Sequence, residues 1–285
     1  MRYRYFVGIC LLPLASLAQT APALPADQAR VECLYRLTYQ RDSTDAKTRT
    51  ETLRLQIGSK LSRCENQATL YMDSVMTAAL NESQVSHGDN EHITINLNGT
   101  PSSKFTSEYK AVVFKIPTAA TVVVYDRIGT TKYYYQEPAS LFTWVIAPTT
   151  ATIAGYACQR ATTTFGGRTW EAWFTRAVPI ADGPYKFSGL PGLIVKVADT
   201  RGHFVFALTK LRQLVPPVAI APPEAGAKLI AKAELARGKA DYDRTVLTQL
   251  LASGNIRFTS PEEAEKAKQR AQERAHRKPN PLELK

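Results

Sequence analysis

Residues 156–165 (YACQRATTTF) and 168–176 (RTWEAWFTR) decide the fold, because they are two strand-like stretches separated only by Gly166-Gly167. A gap of two glycines is too short for a crossover helix and is typical of a β-hairpin. Alternation in the second stretch gives it two distinct faces, Trp170, Ala172 and Phe174 on one and Glu171, Trp173 and Thr175 on the other. We therefore expect two neighbouring antiparallel strands.

The same alternation recurs along most of the chain. Residues 31–40 (VECLYRLTYQ) place apolar side chains at every second position, as do Leu53, Leu55 and Ile57. Further strands are predicted at 92–97, 109–116, 121–127, 131–136, 142–147, 193–199 and 203–211. The short gaps between them, many marked by Gly, Pro, Asn or Asp, favour hairpins and an antiparallel sheet.

One stretch before the later strands has a helical period instead. Apolar residues of 66–81 recur at spacings of three and four, namely Ala68, Tyr71, Met72, Val75 and Ala79. We expect a fold of the α+β class, mainly β, in which this single helix packs on one face of the sheet.

The composition changes near residue 216. Pro216-Pro217 and Pro222-Pro223 flank a short apolar linker, and helical patterns follow at 224–237, 241–252 and 261–277. The sequence thus predicts three parts: a leader at 1–18, a β-rich domain at 28–215, and a Pro-rich linker with a helical tail at 216–285.

The leader has the order of features found in secretory signal peptides. Arg2 and Arg4 precede the apolar run 6–17, and Ser16-Leu17-Ala18 offers small residues at a cleavage site. The run is too short to span a bilayer comfortably, and no other stretch could do so. We therefore expect an exported protein without a transmembrane segment, located in the periplasm, at the outer membrane or outside the cell.

The chain of 285 residues is basic, with a formal net charge of +11. Hydrophobic residues make up 44% and charged residues 21%, which is ordinary for a globular protein. An exported protein meets little nucleic acid, so we expect none as a partner. Anionic lipids or acidic glycans suit this charge, and solubility alone also explains it.

The order of motifs from residue 155 to residue 204 resembles that of a known family. These motifs are Gly155-Tyr156-Ala157-Cys158, Phe165-Gly166-Gly167-Arg168, Trp170-Glu171-Ala172-Trp173-Phe174, Gly183-Pro184-Tyr185-Lys186-Phe187 and Gly189-Leu190-Pro191-Gly192-Leu193-Ile194. The chain resembles the GLPGLI family of exported Bacteroidetes proteins, which the last hexapeptide names. The ending Asn280-Pro281-Leu282-Glu283 also looks like the ending of that family.

This resemblance implies an uncharacterised envelope protein with no catalytic residues to carry over. Members are often encoded near TonB-dependent outer-membrane receptors, so the resemblance makes such a receptor a candidate partner. Strands over one helix, with a Gly-Tyr-x-Cys strand, also look like the curved half-barrels of lipoprotein carriers. That likeness implies a curved, half-barrel-like sheet.

The hexapeptide 189–194 has the composition of a tight turn. Pro191 suits the first central position of a type II turn, and Gly192 suits the second, where φ is positive. In this interpretation Gly189 allows a close backbone approach, Leu190 and Leu193 pack inward, and Ile194 begins a strand. The alternative interpretation is a rigid binding loop.

Aromatic side chains supply the candidate ligand-binding residues, Trp170, Trp173 and Tyr185. Because Trp170 and Trp173 lie on opposite faces of one strand, one can pack in the core while the other faces a helix, a second sheet or a ligand. Aromatic surfaces suit apolar or peptide ligands. Ordinary packing is the alternative.

Three cysteines remain once Cys10 leaves with the leader. Cys33 and Cys64 are the nearest pair in sequence, and export permits a disulfide between them. Three buried free thiols are the alternative. Cys158 is either a small core residue or a nucleophile that needs a base nearby.

Recognisable catalytic and cofactor motifs are missing from the sequence. It has no Gly-x-Ser-x-Gly, no His-Glu-x-x-His, no Cys-x-x-Cys and no phosphate loop. The loop from His87 to His92 is the one stretch with several metal-ligand types, and solvation explains it equally well. We expect no catalytic residues of a known type, no bound metal and no cofactor.

Three functions remain open. The first is a non-enzymatic binding or accessory protein of the envelope, for a lipid, a peptide or an outer-membrane receptor. The second is a hydrolase of unrecognised type that uses Cys158 or the loop of His87 and His92. The third is a structural envelope protein.

Overall fold

The computed structural model of the protein describes residues 24–68, 85–87, 93–95, 107, 109–223, 225–252, 260–276 and 278–284. The strands in these ranges are β1 Gln28–Gln40, β2 Thr48–Ile57, β3 Ser62–Asn66, β4 Val85–His87, β5 Ile93–Ile95, β6 Val112–Ile116, β7 Thr121–Ile128, β8 Thr131–Pro138, β9 Val145–Ile153, β10 Tyr156–Phe165, β11 Arg168–Thr175, β12 Leu193–Asp199, β13 Phe204–Ala219 and β14 Lys228–Leu229. The α-helices are α1 Lys232–Ala252 and α2 Pro261–His276, and a 3-10 helix spans Pro117–Ala119.

Twelve of these strands form one curved sheet that does not close into a barrel. Their order across the sheet is β14-β8-β7-β6-β3-β2-β1-β13-β12-β11-β10-β9. Neighbours are antiparallel except β14, which pairs parallel with β8. The fold is therefore mainly β, and the predicted curved antiparallel sheet is confirmed.

Alternation along the strands sorts their side chains onto two faces. Cys33, Tyr35 and Leu37 of β1 are buried on the same face, which we call the inner face. Register continues this face through Leu55 of β2, which lies opposite Cys33. The inner face carries the larger hydrophobic cluster, whereas the opposite, outer face carries a smaller one around Phe114 and Tyr134.

Two strands extend beyond their predicted bounds, because proline is tolerated where a ladder is interrupted. The pattern predicts β13 at 203–211, but the strand continues past Pro216-Pro217 to Ala219, where an irregularity in the pairing between Ala29 and Val31 accommodates the prolines. The pattern places β9 at 142–147, but the strand spans 145–153 and contains Pro148. A division of the chain at residue 216 stays a prediction.

The helical tail begins later than its pattern suggests. Instead of two helices at 224–237 and 241–252, α1 is one helix of 21 residues that contains Gly238. A Cβ at Gly238 would lie 2.5 Å from Cδ1 of Ile128 in β7, so the glycine allows α1 to approach the sheet closely. α2 coincides with the helix predicted after Ser260.

Several predictions fall on residues that the structure does not describe. The leader 1–18 lies outside the described residues, as does most of the helix predicted at 66–81, of which Gln67 and Ala68 are described and helical. Of the strand predicted at 92–97, the structure describes β5. No helix in the described ranges is both long and apolar enough to cross a bilayer.

Candidate binding site

A loop on the inner face brings several motifs of the sequence to one place. Residues 182–188, which we call the motif loop, are pinned by Lys115 of β6. The Lys115 ammonium pairs with the Asp182 carboxylate and donates to the carbonyl of Gly183 at 2.6 Å. Because this lysine is buried, the loop is fixed by an ion pair shielded from water.

Phe187 anchors the motif loop in the core. Its ring centroid lies 4.8 Å from that of Trp170 and 5.1 Å from that of Phe142. Trp144 adds a polar tie, since its indole nitrogen donates to the carbonyl of Ser188 at 2.8 Å. Trp170 is fully buried in this cluster and packs in the core.

The motif loop also carries a fully buried lysine, Lys186, at the centre of a charge cluster. This cluster consists of Lys186, Lys232, Glu137 and Glu283, two ammonium groups alternating with two carboxylates. Lys186 Nζ lies 2.6 Å from Glu283 Oε1 and donates to the Tyr135 hydroxyl at 3.0 Å. The four charges sum to zero, which is the condition for burying them at modest cost.

Glu283 belongs to an extended stretch, residues 279–284, which we call the terminal segment. Arg168, at the start of β11, holds it by three hydrogen bonds. The guanidinium donates to Asn280 Oδ1 at 2.6 Å, to the carbonyl of Pro281 at 2.7 Å and to the carbonyl of Leu282 at 3.1 Å. Asp199 pairs with the same guanidinium at 3.1 Å, so Arg168 is fixed from both sides.

Backbone contacts hold the two ends of the terminal segment. The amide of Asn280 donates to the carbonyl of Arg41, and its side-chain amide donates to the carbonyl of Gln40 at 3.0 Å. At the other end, the amide of Leu284 donates to the carbonyl of Gly166 at 2.7 Å. The segment therefore crosses the sheet as a bound peptide would, with backbone and side chains both recognised.

We expect acid to remove the contribution of Glu283 to stability. Burial alone raises the pKa of this carboxyl, but the Lys186 ammonium and hydrogen bonds from Lys186, Lys232 and Tyr185 outweigh it and hold the pKa below the ordinary 4.5. A carboxylate with a depressed folded-state pKa stabilises fully above its unfolded value of about 4.3, and this stabilisation is lost as pH falls through the folded value.

Urea unfolding of the wild type and of Glu283→Gln measures the contribution of Glu283 to stability from about pH 7 to about pH 3. The difference in free energy of unfolding between the two proteins should be largest near neutrality and shrink in acid. A difference that stays constant over the whole range would show that the charge of Glu283 is irrelevant.

The hexapeptide makes a tight turn, but its hydrogen bonding differs from a type II turn. The amide of Gly192 donates to the carbonyl of Leu190 at 2.8 Å, a three-residue turn centred on Pro191. The amide of Leu193 instead donates to the carbonyl of Val178 at 3.0 Å. The backbone bond to Val178 is therefore made in place of the turn bond that often closes a type II turn.

The side chains of the hexapeptide point into the core. Leu190, Leu193 and Ile194 are buried, and Tyr35 donates to the carbonyl of Ile194 at 2.8 Å. Gly189 has φ of 88°, whereas Gly192 has φ of 149° and is buried against the backbone of Thr175. This arrangement favours the structural interpretation of the motif over a binding loop.

The other aromatic candidates lie apart from each other. Tyr185 is buried in the motif loop and its hydroxyl bonds Glu283, so it contacts the terminal segment. Trp173 is half-buried on the outer face, where its indole nitrogen donates to Glu171 Oε1 at 2.9 Å. The two side chains thus have different polar partners, the terminal segment for Tyr185 and Glu171 for Trp173.

The disulfide suggested between Cys33 and Cys64 is not formed, since both thiols are free and buried. Leu55 pairs with each of them, on β1 and on β3, so the two cysteines are two strands apart. Two strand spacings are roughly 10 Å, too far for a disulfide. Burial raises the pKa of Cys33 to about 12, with the Asp182 carboxylate adding to it, and raises the pKa of Cys64 to about 11.

Cys158 is also a buried free thiol, whose pKa burial raises. His87 lies in β4, and His92 lies outside the described residues. Within the described ranges, no three His, Cys, Asp or Glu side chains are grouped as metal ligands.

At the far edge of the sheet, β9 is largely exposed. Among the described strands it has a single neighbour, β10, and Val145 and Ile146 at its start are 66% and 42% exposed. An open groove of about 340 Å³ lies beside it, lined by Leu141, Thr143, Val145, Thr162, Thr163, Thr164 and Thr169. A second groove, of about 480 Å³, adjoins Tyr135 and Lys232 of the charge cluster.

Sequence reasoning misses the charge cluster and the role of Arg168. Arg168, Lys186 and Glu283 all stand in motifs that carry the family resemblance, but a single sequence does not show that they meet. The available signal is a lysine and an arginine among apolar motif residues, together with an acidic residue near the end of the chain.

Comparison with known protein families gives a match over a short segment of the chain. A family model described as a protein of unknown function (Porph_ging) matches residues 166–196, which include Arg168, the motif loop and the hexapeptide. No curated protein matches the chain.

Two solved structures of PNGF-II, in space groups P21 and C2, are similar to this fold. Each is 12% identical over 75% of this chain, with TM-scores of 0.49 and 0.48. The chain spans about a third of their length, 34% and 33%.

Proposed function

We propose that this protein is a non-enzymatic, exported binding protein of the cell envelope, similar to the GLPGLI family, and that it binds an extended segment of a partner protein along β9. The leader-like residues 1–18 support export, and the match to residues 166–196 supports the family resemblance. The observation that carries the proposal is the edge at β9, which is uncharged and pairs on one side only among the described strands.

Edge strands that must stay unpaired usually carry charged side chains. Residues 138–159, which include all of β9, contain no Asp, Glu, Lys, Arg or His, although charged residues make up 21% of the chain. The edge thus lacks the usual charge protection. Only Pro148 and an irregularity in the pairing with β10 interrupt it.

The chemistry of this edge indicates an extended polypeptide as its partner. A strand edge offers backbone amides and carbonyls, which another strand satisfies in register. Val145 and the threonines of the adjacent groove offer apolar surface and hydroxyl groups. A partner strand rich in small apolar and hydroxyl side chains fits best, as a segment of an outer-membrane receptor could supply.

The surroundings of Cys158 give the hydrolase alternative little support at that residue. Because burial raises the pKa of the Cys158 thiol, the reactive thiolate is scarce at neutral pH. The thiol also donates to the carbonyl of Tyr156 at 3.4 Å, a contact that suits a core residue.

Site-specific photo-crosslinking in the native envelope tests the proposal. A photoreactive residue in place of Thr150 on the open edge should crosslink to one discrete partner. The same residue in place of Thr209, exposed on the interior strand β13, is the matched control and should give none. Equal labelling at both positions, or none at Thr150, would favour a structural role.

A second variant pair links the crosslink to the edge itself. Val145→Lys places a charge where the partner strand would dock and should lower the crosslink yield severalfold without changing the melting temperature. Val218→Lys, at another exposed valine, should leave the yield unchanged. An unchanged yield in Val145→Lys would contradict docking at β9.

A further inference from the structure

We propose that the surface holding the terminal segment is a recognition site for an extended Asn-Pro-Leu-Glu peptide, filled here in cis and able to accept the same segment from a second copy of the chain. This site is separate from β9, which lies at the sheet edge, so it goes beyond the function proposed above. It is built from Arg168, Lys186, Tyr185 and Lys232.

The site contacts the peptide at three points. Arg168 binds the side chain of Asn280 and the next two carbonyls, which requires an extended backbone. Leu282 is 9% exposed and enters the core. Glu283 places its carboxylate between the ammonium groups of Lys186 and Lys232. The combination selects an amide, an apolar side chain and a carboxylate in a set order.

The groups that bind the peptide are held in place by others. Lys186 and Lys232 also pair with Glu137, and Lys186 bonds Tyr135. Arg168 also pairs with Asp199, and its guanidinium carbon lies 4.8 Å from the ring centroid of Phe204. When the peptide leaves, Lys186 and Lys232 therefore share the Glu137 carboxylate and Arg168 keeps Asp199, so the cations stay in place and the site is pre-organised.

The described side chains of α2, which precedes the segment, are all exposed or half-buried. Leu282 is the one apolar side chain of 279–284 that is buried among the described residues. A segment held mainly by polar contacts at a pre-organised site can exchange with an identical segment from solution.

Complementation of a weakened chain by a peptide tests this inference. In full-length Glu283→Gln, the cis segment loses its carboxylate. A synthetic peptide with the sequence of residues 278–285 should then raise the melting temperature with increasing concentration, up to about 1 mM, as a ligand of the folded state does. The same peptide with Gln for Glu should bind about tenfold or more weakly, since it lacks the charge-assisted bonds.

The wild-type chain is the second measurement. Its own segment fills the site, so the fluorescently labelled peptide should bind it more weakly than it binds Glu283→Gln. If Glu283→Gln does not fold, full-length Asn280→Ala takes its place. A folded variant that binds neither peptide, or that binds both equally, would overturn the proposal and leave the terminal segment as part of the fold alone.

Discussion

Gly192→Ala is expected to lower the free energy of unfolding by roughly 2–5 kcal/mol. An alanine Cβ would lie 2.1 Å from the carbonyl oxygen of Thr175, which is backbone and cannot rotate away. The chain also has φ of 149° at Gly192, a region nearly reserved for glycine. Backbone strain and the displacement of β11 therefore both lower the stability of the variant.

Gly189→Ala is the matched control within the same hexapeptide. Gly189 also has positive φ, 88°, but no atom lies within 4 Å of the point that an alanine Cβ would occupy. Gly189→Ala should lower the free energy of unfolding only by the conformational strain, about 1–2 kcal/mol. Urea unfolding of both variants measures the difference, and equal losses would show that the contact with Thr175 is unimportant.

Lys186→Met is expected to cost about 3–5 kcal/mol, because removing one partner of a buried ion pair leaves an uncompensated charge. Lys186 is fully buried between Glu137 and Glu283. Without its ammonium, both carboxylates depend on Lys232 alone. Methionine keeps most of the volume, so the loss reports on charge more than on a cavity.

Lys266→Met is the control for the same chemical change at the surface. Lys266 pairs with Glu262 on α2, and both side chains are more than half exposed. Such pairs contribute about 0–1 kcal/mol.

Adding Glu283→Gln to Lys186→Met should recover part of the loss in free energy of unfolding. A double-mutant cycle that shows no coupling between the two positions would contradict the charge cluster.

The β-rich architecture is predictable because strand alternation is local. Trp170, Ala172 and Phe174 share a buried face because successive side chains point to opposite sides of a strand, which needs no knowledge of the rest of the chain. The bounds of β10 and β12 equal the predicted ones for the same reason. The pattern makes β13 too short, because whether a proline ends a strand depends on the neighbouring strand's irregularity.

The hexapeptide shows the limit of predicting a turn from its composition alone. Its composition correctly requires an unusual backbone at Gly192, but the turn bond is replaced by the bond from Leu193 to Val178. Which acceptor the amide of Leu193 uses depends on the position of a distant backbone segment that folds against the turn, and composition does not contain that information.

Alternation, turn residues and spacing are enough to predict a mainly β chain with a tight turn at 189–194 and helices near its end. Packing in three dimensions is needed to bring Lys186 to Glu283, 97 residues away, and Arg168 to Asn280, 112 residues away. Local patterns do not predict contacts at such separations, because the entropy cost of closing a long loop is repaid by the assembled core.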